Sequence, residues 1–316
     1  MSTQIRASIV EKIGAPFTYT DLLIDDPGPG EILVRIVAGG VCHTDANTRG
    51  GDMPLPLPGV LGHEGAGVVE AVGPGVTSPR VGDHVVLGWP YCGECKNCLE
   101  GEPRYCLSIG PALVAGVRFT GEQAGTSAYR RLDGSPVSGH FFGQSSFATH
   151  SLALARQAVV IPDDIPLEIA GPLACGIATG AGAVLNTVRP RVGESIVVYG
   201  AGAVGLSAVM AATNTPATTI IAVDMHDSRL ELAKRYGATH VFNAGATPDV
   251  VAAIHELLGG TADYAIDCTG VIPVVEQTIE TVGMLGTAIL IGGAPAEAAF
   301  TADHFRTLFG KRIVGT

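Results

Sequence analysis

The segment IVVYGAGAVGLSAV, at 196–209, constrains the fold more than any other stretch of the chain. Gly200, Gly202 and Gly205 form G-x-G-x-x-G between a β-branched run and a run of small, helix-forming residues. The first glycine of such a motif makes a tight turn, the second lets a pyrophosphate approach the backbone, and the third lets helix and strand pack closely. The N–H groups and partial positive charge at the helix start favour an anion. Alone the motif is weak, but its surroundings strengthen it. Strand-like runs recur at 195–200, 219–224, 240–243, 263–268, 286–292 and 311–316, with helical patterns such as DSRLELAKRYG and PDVVAAIHELLGG between most of them. Six strands with crossover helices predict an α/β domain built on a doubly wound parallel sheet. Asp224 closes the second strand about twenty residues after the motif. A carboxylate there can accept hydrogen bonds from the ribose hydroxyls of NAD and repels the extra phosphate of NADP.

The first half has a different character. Residues 31–37, 65–72 and 81–88 read as strands, with DDPGPG before the first and PLPLPGVLG before the second as turn and loop signals. Near residue 165 the pattern changes, and PLEIAGPLACGIATGAGAVLNTV reads as helical. A mainly β domain over 1–176 and a nucleotide-binding domain over 177–316 are therefore expected. The 316 residues are enough for two domains, and 47% hydrophobic against 16% charged residues leaves ample material for buried cores. A net charge of −11 disfavours nucleic-acid binding, though not a local pocket for a small anionic cofactor. The opening MSTQIRASIVEKIG lacks the basic start and apolar core of a secretory signal, and apolar runs end short of a membrane span, so a cytoplasmic protein is expected.

Four of the seven cysteines crowd into CGECKNCLEGEPRYC, as Cys92, Cys95, Cys98 and Cys106. The spacing C-x2-C-x2-C-x7-C lets four thiolates close a tetrahedral shell around Zn²⁺, the arrangement of a structural zinc. Disulfides or an iron–sulfur cluster are the alternatives. The first conflicts with the expected reducing compartment, and the second usually shows a different run.

Three further candidate ligands are scattered: Cys42 in GGVCHTD, His63 in LGHEGAG and Cys175 in PLACGIATG. Two thiolates, an imidazole and an open position make a catalytic zinc site. Singly, Cys175 could be a small buried hydrophobe and His63 an ordinary hydrogen-bonded histidine. In their joint context, VCHTD, GHEGAGVVEAVG, the four-cysteine run, ACGIATG and the glycine motif occur in the order found in zinc-dependent medium-chain alcohol dehydrogenases. The chain resembles that family over nearly its whole length, and GHFFGQSSFATHS is most similar to its aryl-alcohol (benzyl-alcohol) dehydrogenase branch.

The resemblance implies a GroES-like catalytic domain with a structural-zinc lobe at 91–107, a Rossmann domain, and a missing C-terminal segment, since family members continue beyond KRIVGT. It implies two zinc ions per chain, one catalytic and one structural, with NAD as cofactor and a homo-oligomer, dimer or tetramer, as the assembly. By motif, Cys42, His63 and Cys175 would hold the catalytic zinc and Asp45 would orient His63. Glu64 would lie behind the metal, as a transient ligand or as a buried structural carboxylate. Thr44 would start a proton relay, and His43 would contact cofactor phosphate or help the relay. Asn47 stands where many relatives place a histidine and cannot act as a base near neutral pH. Thr179 and Val204 would press on the nicotinamide, or simply pack. Arg229 would sit near the adenosine ribose, or be a solvated helix charge. Trp89, Phe141 and Phe142 would line a slot for a benzylic alcohol, or belong to the core. Cys268 fits none of these sites and reads as a buried free thiol.

The function implied is hydride transfer between a primary, aryl or benzylic alcohol and NAD, giving the aldehyde. Dehydrogenation of aliphatic alcohols, polyols or the glutathione adduct of formaldehyde is the nearest alternative. A zinc- and NAD-binding fragment without turnover is another.

Overall fold

The computed structural model describes residues 2–295 and 297–316. The chain divides into two compact units, Met1–Cys175 and Gly176–Thr316.

The first unit contains the strands β1 (Ser2–Val10), β2 (Thr18–Asp25), β3 (Glu31–Gly39), β4 (Gly59–Val60), β5 (Gly65–Val72), β6 (His84–Leu87), β7 (Tyr129–Arg131), β8 (Pro136–Val137), β9 (His150–Leu154) and β10 (Ala158–Val160). They form two five-stranded sheets, ordered β4-β1-β2-β7-β8 and β10-β6-β5-β3-β9. Every pairing between named strands is antiparallel. Alternation along β1 turns Ile5, Ala7 and Ile9 inward, and β2 adds Leu22 and Ile24; these meet Leu33 and Leu152 of the second sheet in one buried cluster. Each such large side chain withdrawn from water contributes about 1.5–3 kcal/mol, which is what holds the two sheets face to face. A two-turn helix, His43–Gly50, follows β3 and closes on Gly51 in the left-handed conformation at φ 97°.

The second unit carries β11 (Ser195–Tyr199), β12 (Thr219–Asp224), β13 (His240–Asn243), β14 (Ala262–Asp267), β15 (Val282–Leu290) and β16 (Arg312–Gly315). They make one parallel sheet ordered β13-β12-β11-β14-β15-β16, the doubly wound sheet expected from the sequence. All of β11 is buried, as a central parallel strand covered on both faces must be. Strand order reverses between β11 and β14, which opens a crevice at the carboxyl ends of the strands. The helix Ala203–Ala212 starts at that crevice, and its approach to the sheet requires Gly205: a Cβ there would lie 1.7 Å from the carbonyl oxygen of Gly200.

The stretch from Pro166 to Val188 is not the continuous helix its small residues predict. It breaks into Leu167–Ala170, a 3₁₀ turn Gly171–Ala174, Gly176–Gly182 and a π-helical end, Ala183–Val188. Pro172 has no N–H to donate, and Cys175 is non-helical at φ −125°, ψ −96°. Cys175 therefore ends the first unit instead of lying on a helix face. Among the described residues no single helix is long and apolar enough to cross a membrane.

Candidate metal centres and cofactor site

Three separate segments of the first unit converge on one point. Cys42 caps the helix His43–Gly50, His63 and Glu64 lie just before β5, and Cys175 ends the broken helical run. One donor atom from each of Cys42, His63, Glu64 and Cys175 lies within 4.8 Å of all the others. Asp45 ties two of these segments together. Its Oδ2 accepts from the Cys42 N–H at 3.0 Å, and its Oδ1 accepts from the Gly62 N–H at 3.0 Å and lies 3.2 Å from His63 Nδ1. With Nδ1 engaged by a carboxylate, the ring offers Nε2 to a ligand. Glu64 is seated against Gly40, where a Cβ would fall 1.8 Å from its Oε2.

The electrostatics of this cluster call for a cation. The hydrogen bond from Cys175, helped by His63, lowers the Cys42 thiol to about 3, and the Cys42 sulfur in turn pushes Cys175 far above the usual thiol range. Burial opposes charge on His63, but Asp45 and Cys42 outweigh it and raise the imidazole to about 9. Burial raises the Glu64 carboxyl. Two sulfurs, one imidazole nitrogen and a carboxylate oxygen packed this closely form a donor set that fits tetrahedral Zn²⁺.

The other predicted residues of this region lie nearby. Thr44 Oγ1 is 3.6 Å from Cys42 Sγ and half-buried, His43 is exposed, and Asn47 is half-buried on the same helix. Phe142 stacks on the His63 ring with centroids 4.5 Å apart and 27° between planes, and Phe141 meets the same ring edge-on at 5.6 Å. Trp89 stands edge-on to Phe142 at 5.7 Å and is 43% exposed, so the aromatic group is solvent-accessible at one end. The segment carrying Phe141 and Phe142 holds three non-glycine residues in the left-handed region, His140 at φ 54°, Phe142 at φ 51° and Ser145 at φ 56°. The surrounding structure must hold each of these against a cost of about 1–3 kcal/mol.

Cys92, Cys95, Cys98 and Cys106 form the second cluster, again with all four sulfurs within 4.8 Å of one another. None is in a disulfide. Backbone N–H groups of Cys95, Cys92 and Leu107 donate to the sulfurs of Cys92, Cys106 and Cys95. Amides aimed at sulfur favour thiolates: the Leu107 N–H leads in lowering Cys95 to about 6, whereas desolvation and its neighbours push Cys98 up to about 12. Four thiols cannot all ionise side by side without a cation, and a closed Cys₄ shell fits Zn²⁺ with no position for substrate.

In the second unit a cavity at the switch point is lined by Gly200, Gly202, Asp224, Arg229, Cys268 and Thr269, among others. Gly200 takes φ 91°, and Gly202 caps the helix behind it. Both carboxylate oxygens of Asp224 are held by backbone donors, Oδ2 by the Ala201 N–H at 2.8 Å and Oδ1 by the His226 N–H at 2.9 Å. Arg229 Nη1 lies 3.6 Å from the same carboxylate. Thr179 and Val204, both half-buried, belong to two helices that touch so closely that a Cβ on Gly180 would fall 2.0 Å from the Val204 carbonyl oxygen. Cys268, expected to be a buried free thiol outside every site, is free but only partly buried and lies in the wall of this cavity. Its neighbour Thr269, within 2.8 Å of a Cβ built on Gly200, shows how the turn after β14 meets the glycine loop. Sequence reading also missed Gln144, whose side chain bonds to the backbone on both sides of Glu64, at the His63 carbonyl and the Gly65 N–H.

Residues 28–163 match the alcohol dehydrogenase GroES-like domain family, and residues 203–316 match the zinc-binding dehydrogenase family. Geraniol dehydrogenase of Castellaniella defragrans is 43% identical over 290 residues, which is 89% of this chain and 76% of that protein. S-(hydroxymethyl)glutathione dehydrogenase of Paracoccus denitrificans is 36% identical, over 98% of this chain and 84% of that protein. Among solved structures, benzyl alcohol dehydrogenase from Acinetobacter calcoaceticus superposes with a TM-score of 0.93 at 43% identity, covering 99% of this chain and 84% of that one. Similarity at these levels runs through both units, and the chain belongs to the zinc-dependent medium-chain alcohol dehydrogenases.

Proposed function

We propose that this protein oxidises a primary benzylic alcohol to the aldehyde with NAD. The observation that carries the reading is the stack of Phe142 on His63, with Trp89 edge-on behind it. An aromatic wall touching a metal-ligand ring favours a flat substrate whose reacting carbon sits next to its own ring. Such ring pairs contribute about 0.5–1.5 kcal/mol beyond area. The likeness to a benzyl alcohol dehydrogenase supports the same substrate class. The likeness to a geraniol dehydrogenase supports an activated primary alcohol more broadly.

Cys42, His63 and Cys175 hold the catalytic metal, and Cys92, Cys95, Cys98 and Cys106 the structural one. Zinc bound by the first set supplies Lewis acidity toward a hydroxyl oxygen, and NAD in the second unit supplies the hydride acceptor. Asp45 fixes the His63 tautomer, and Glu64, whose carboxylate lies among the same donor atoms, would offer zinc a further oxygen ligand. Thr44 takes the hydroxyl proton and passes it toward solvent by way of His43 or water, because Asn47 offers no base. Asp224 accepts from the adenosine ribose, with Arg229 beside it and Thr179 and Val204 against the nicotinamide, so NAD is preferred to NADP. The cysteines, none in a disulfide, suit a reducing cytoplasm.

The assembly we infer is a homo-oligomer with β16 at the interface. β16 is the edge of the parallel sheet, and Met284, Leu285, Phe305 and Leu308 are exposed in the same unit. Sedimentation of the protein tests it.

The deciding experiment is a comparison of kcat/KM with NAD for benzyl alcohol, geraniol, ethanol and S-(hydroxymethyl)glutathione. The proposal expects benzyl alcohol to lead. A lead for ethanol or the glutathione adduct overturns it.

A further inference from the structure

Gln144 is completely surrounded by protein, at 1% exposure, and it uses its side-chain amide on three backbone groups. Its Oε1 accepts from the Gly65 N–H at 3.0 Å. Its Nε2 donates to the His63 carbonyl at 2.9 Å and to the Leu87 carbonyl at 3.1 Å. Two of these three partners, the His63 carbonyl and the Gly65 N–H, lie on either side of Glu64, and the third ends β6. The Gln144 backbone is itself anchored: its carbonyl accepts from the Tyr129 hydroxyl at 3.1 Å and from Ser151 Oγ. Next to it, Ser145 Oγ accepts from the Phe141 N–H at 2.9 Å and donates to the Val60 carbonyl at 2.6 Å. The left-handed residues His140, Phe142 and Ser145 lie in this same segment.

These bonds make one rigid unit of two segments about eighty residues apart. Phe142 presses on the face of the His63 ring, and Gln144, two residues on, holds the His63 carbonyl. We propose that Gln144 is a positioning residue for the catalytic metal: it sets the His63 backbone and the Phe142 ring in a single geometry, so ligand orientation and the substrate wall are fixed together. The inference rests on the reading of His63 as a catalytic-zinc ligand. A glutamine that only filled space could be replaced by methionine without effect on the metal. One that positions the ligand could not, because methionine keeps the volume but strands three buried backbone groups.

Testing it begins with the metal content of the wild-type enzyme and of His63→Ala. Two metals per chain falling to one establishes the ligand reading, and no loss defeats that reading before Gln144 is touched. Gln144→Met and Gln144→Glu are then loaded with Co²⁺ and challenged with a chelator. The expected result is loss of cobalt from the Cys42–His63–Cys175 site on the order of tenfold faster than in wild type, with an altered visible absorption band. The Cys₄ site should release its metal at the wild-type rate, and kcat for benzyl alcohol should fall more than its KM changes. Glutamate keeps the acceptor for Gly65 but turns both donor bonds into contacts between carboxylate and carbonyl, so it should be no better than methionine. If either variant has the wild-type cobalt spectrum and release rate, Gln144 does not position the ligand. Wild-type hydrogen exchange gives a test independent of any variant's folding. Loading the catalytic metal should slow exchange in residues 141–146 as well as in 62–66, and protection confined to 62–66 contradicts the coupling.

Discussion

Phe142 lies face to face on the imidazole of His63, 4.5 Å between centroids, although 79 positions separate them in the chain. The ring proposed to form the substrate wall is thus in contact with a ring proposed to hold the metal. Replacing Phe142 by Leu should lower kcat/KM for benzyl alcohol by about two- to tenfold, the equivalent of about 0.5–1.5 kcal/mol of ring–ring interaction. Ethanol should be much less affected. Parallel steady-state assays on the two alcohols measure the ratio, and an equal loss for both removes Phe142 from substrate selection.

Asp45 joins the Cys42 N–H, the Gly62 N–H and His63 Nδ1 through one buried carboxylate. Asp45→Asn keeps the size but loses the charge that favours a proton on Nδ1. Weakening such a partner costs about 10–100-fold in metal affinity or activity. Titration with a competing chelator should show that loss at one of the two metals only.

Asp224 is already aimed by two backbone donors before any nucleotide arrives. Asp224→Gly should raise KM for NAD by about tenfold, the loss expected for a hydrogen bond to a charged group. It should also narrow the preference over NADP, because the repulsion of the extra phosphate goes with the carboxylate. An unchanged NAD/NADP ratio of kcat/KM argues that another residue selects the cofactor.

His140 gives the first unit a dependence on acid. Burial, reinforced by the nearby Arg118 cation, depresses its imidazole to about 3, below the ordinary 6.5. Between these values the unfolded chain takes up a proton that the folded chain does not. The stabilisation is therefore complete above about pH 6.5 and is lost as the pH falls toward about 3, at up to about 1.4 kcal/mol per pH unit. Asn tolerates the left-handed backbone at this position. His140→Asn should flatten the dependence, and urea unfolding followed in steps from pH 7 to pH 4.5 reads the slope.

Much of the fold was legible because its signals are local. Gly200, Gly202 and Gly205 fall within six consecutive positions between their strand and helix, and the strands that follow are short apolar runs with clear breaks. Cys92, Cys95, Cys98 and Cys106 fall within one short stretch of chain, so spacing alone marks them as a set. Cys42, His63 and Cys175 are scattered, and only their order within recognisable motifs marked them. Gln144 was illegible: its three partners are 57 to 81 residues away, and nothing local distinguishes it from a polar loop residue. The hairpin β1–β2 was less legible because each strand opens on exposed polar residues, and its alternation is confined to Ile5, Ala7 and Ile9 in one strand and Leu22 and Ile24 in the other. The break at Cys175 escaped because small residues satisfy a helical pattern wherever Pro172 and the glycines leave the hydrogen bonds unmade.

The central claim is that Cys42, His63 and Cys175 share a zinc on which alcohol oxidation depends. Its most direct test is zinc content per chain, with NADH formation from benzyl alcohol, in wild type and Cys42→Ala. The account predicts two zinc ions falling to one and turnover reduced to background, with the Cys₄ zinc retained. A variant that keeps both ions, or oxidises benzyl alcohol at the wild-type rate, would contradict it.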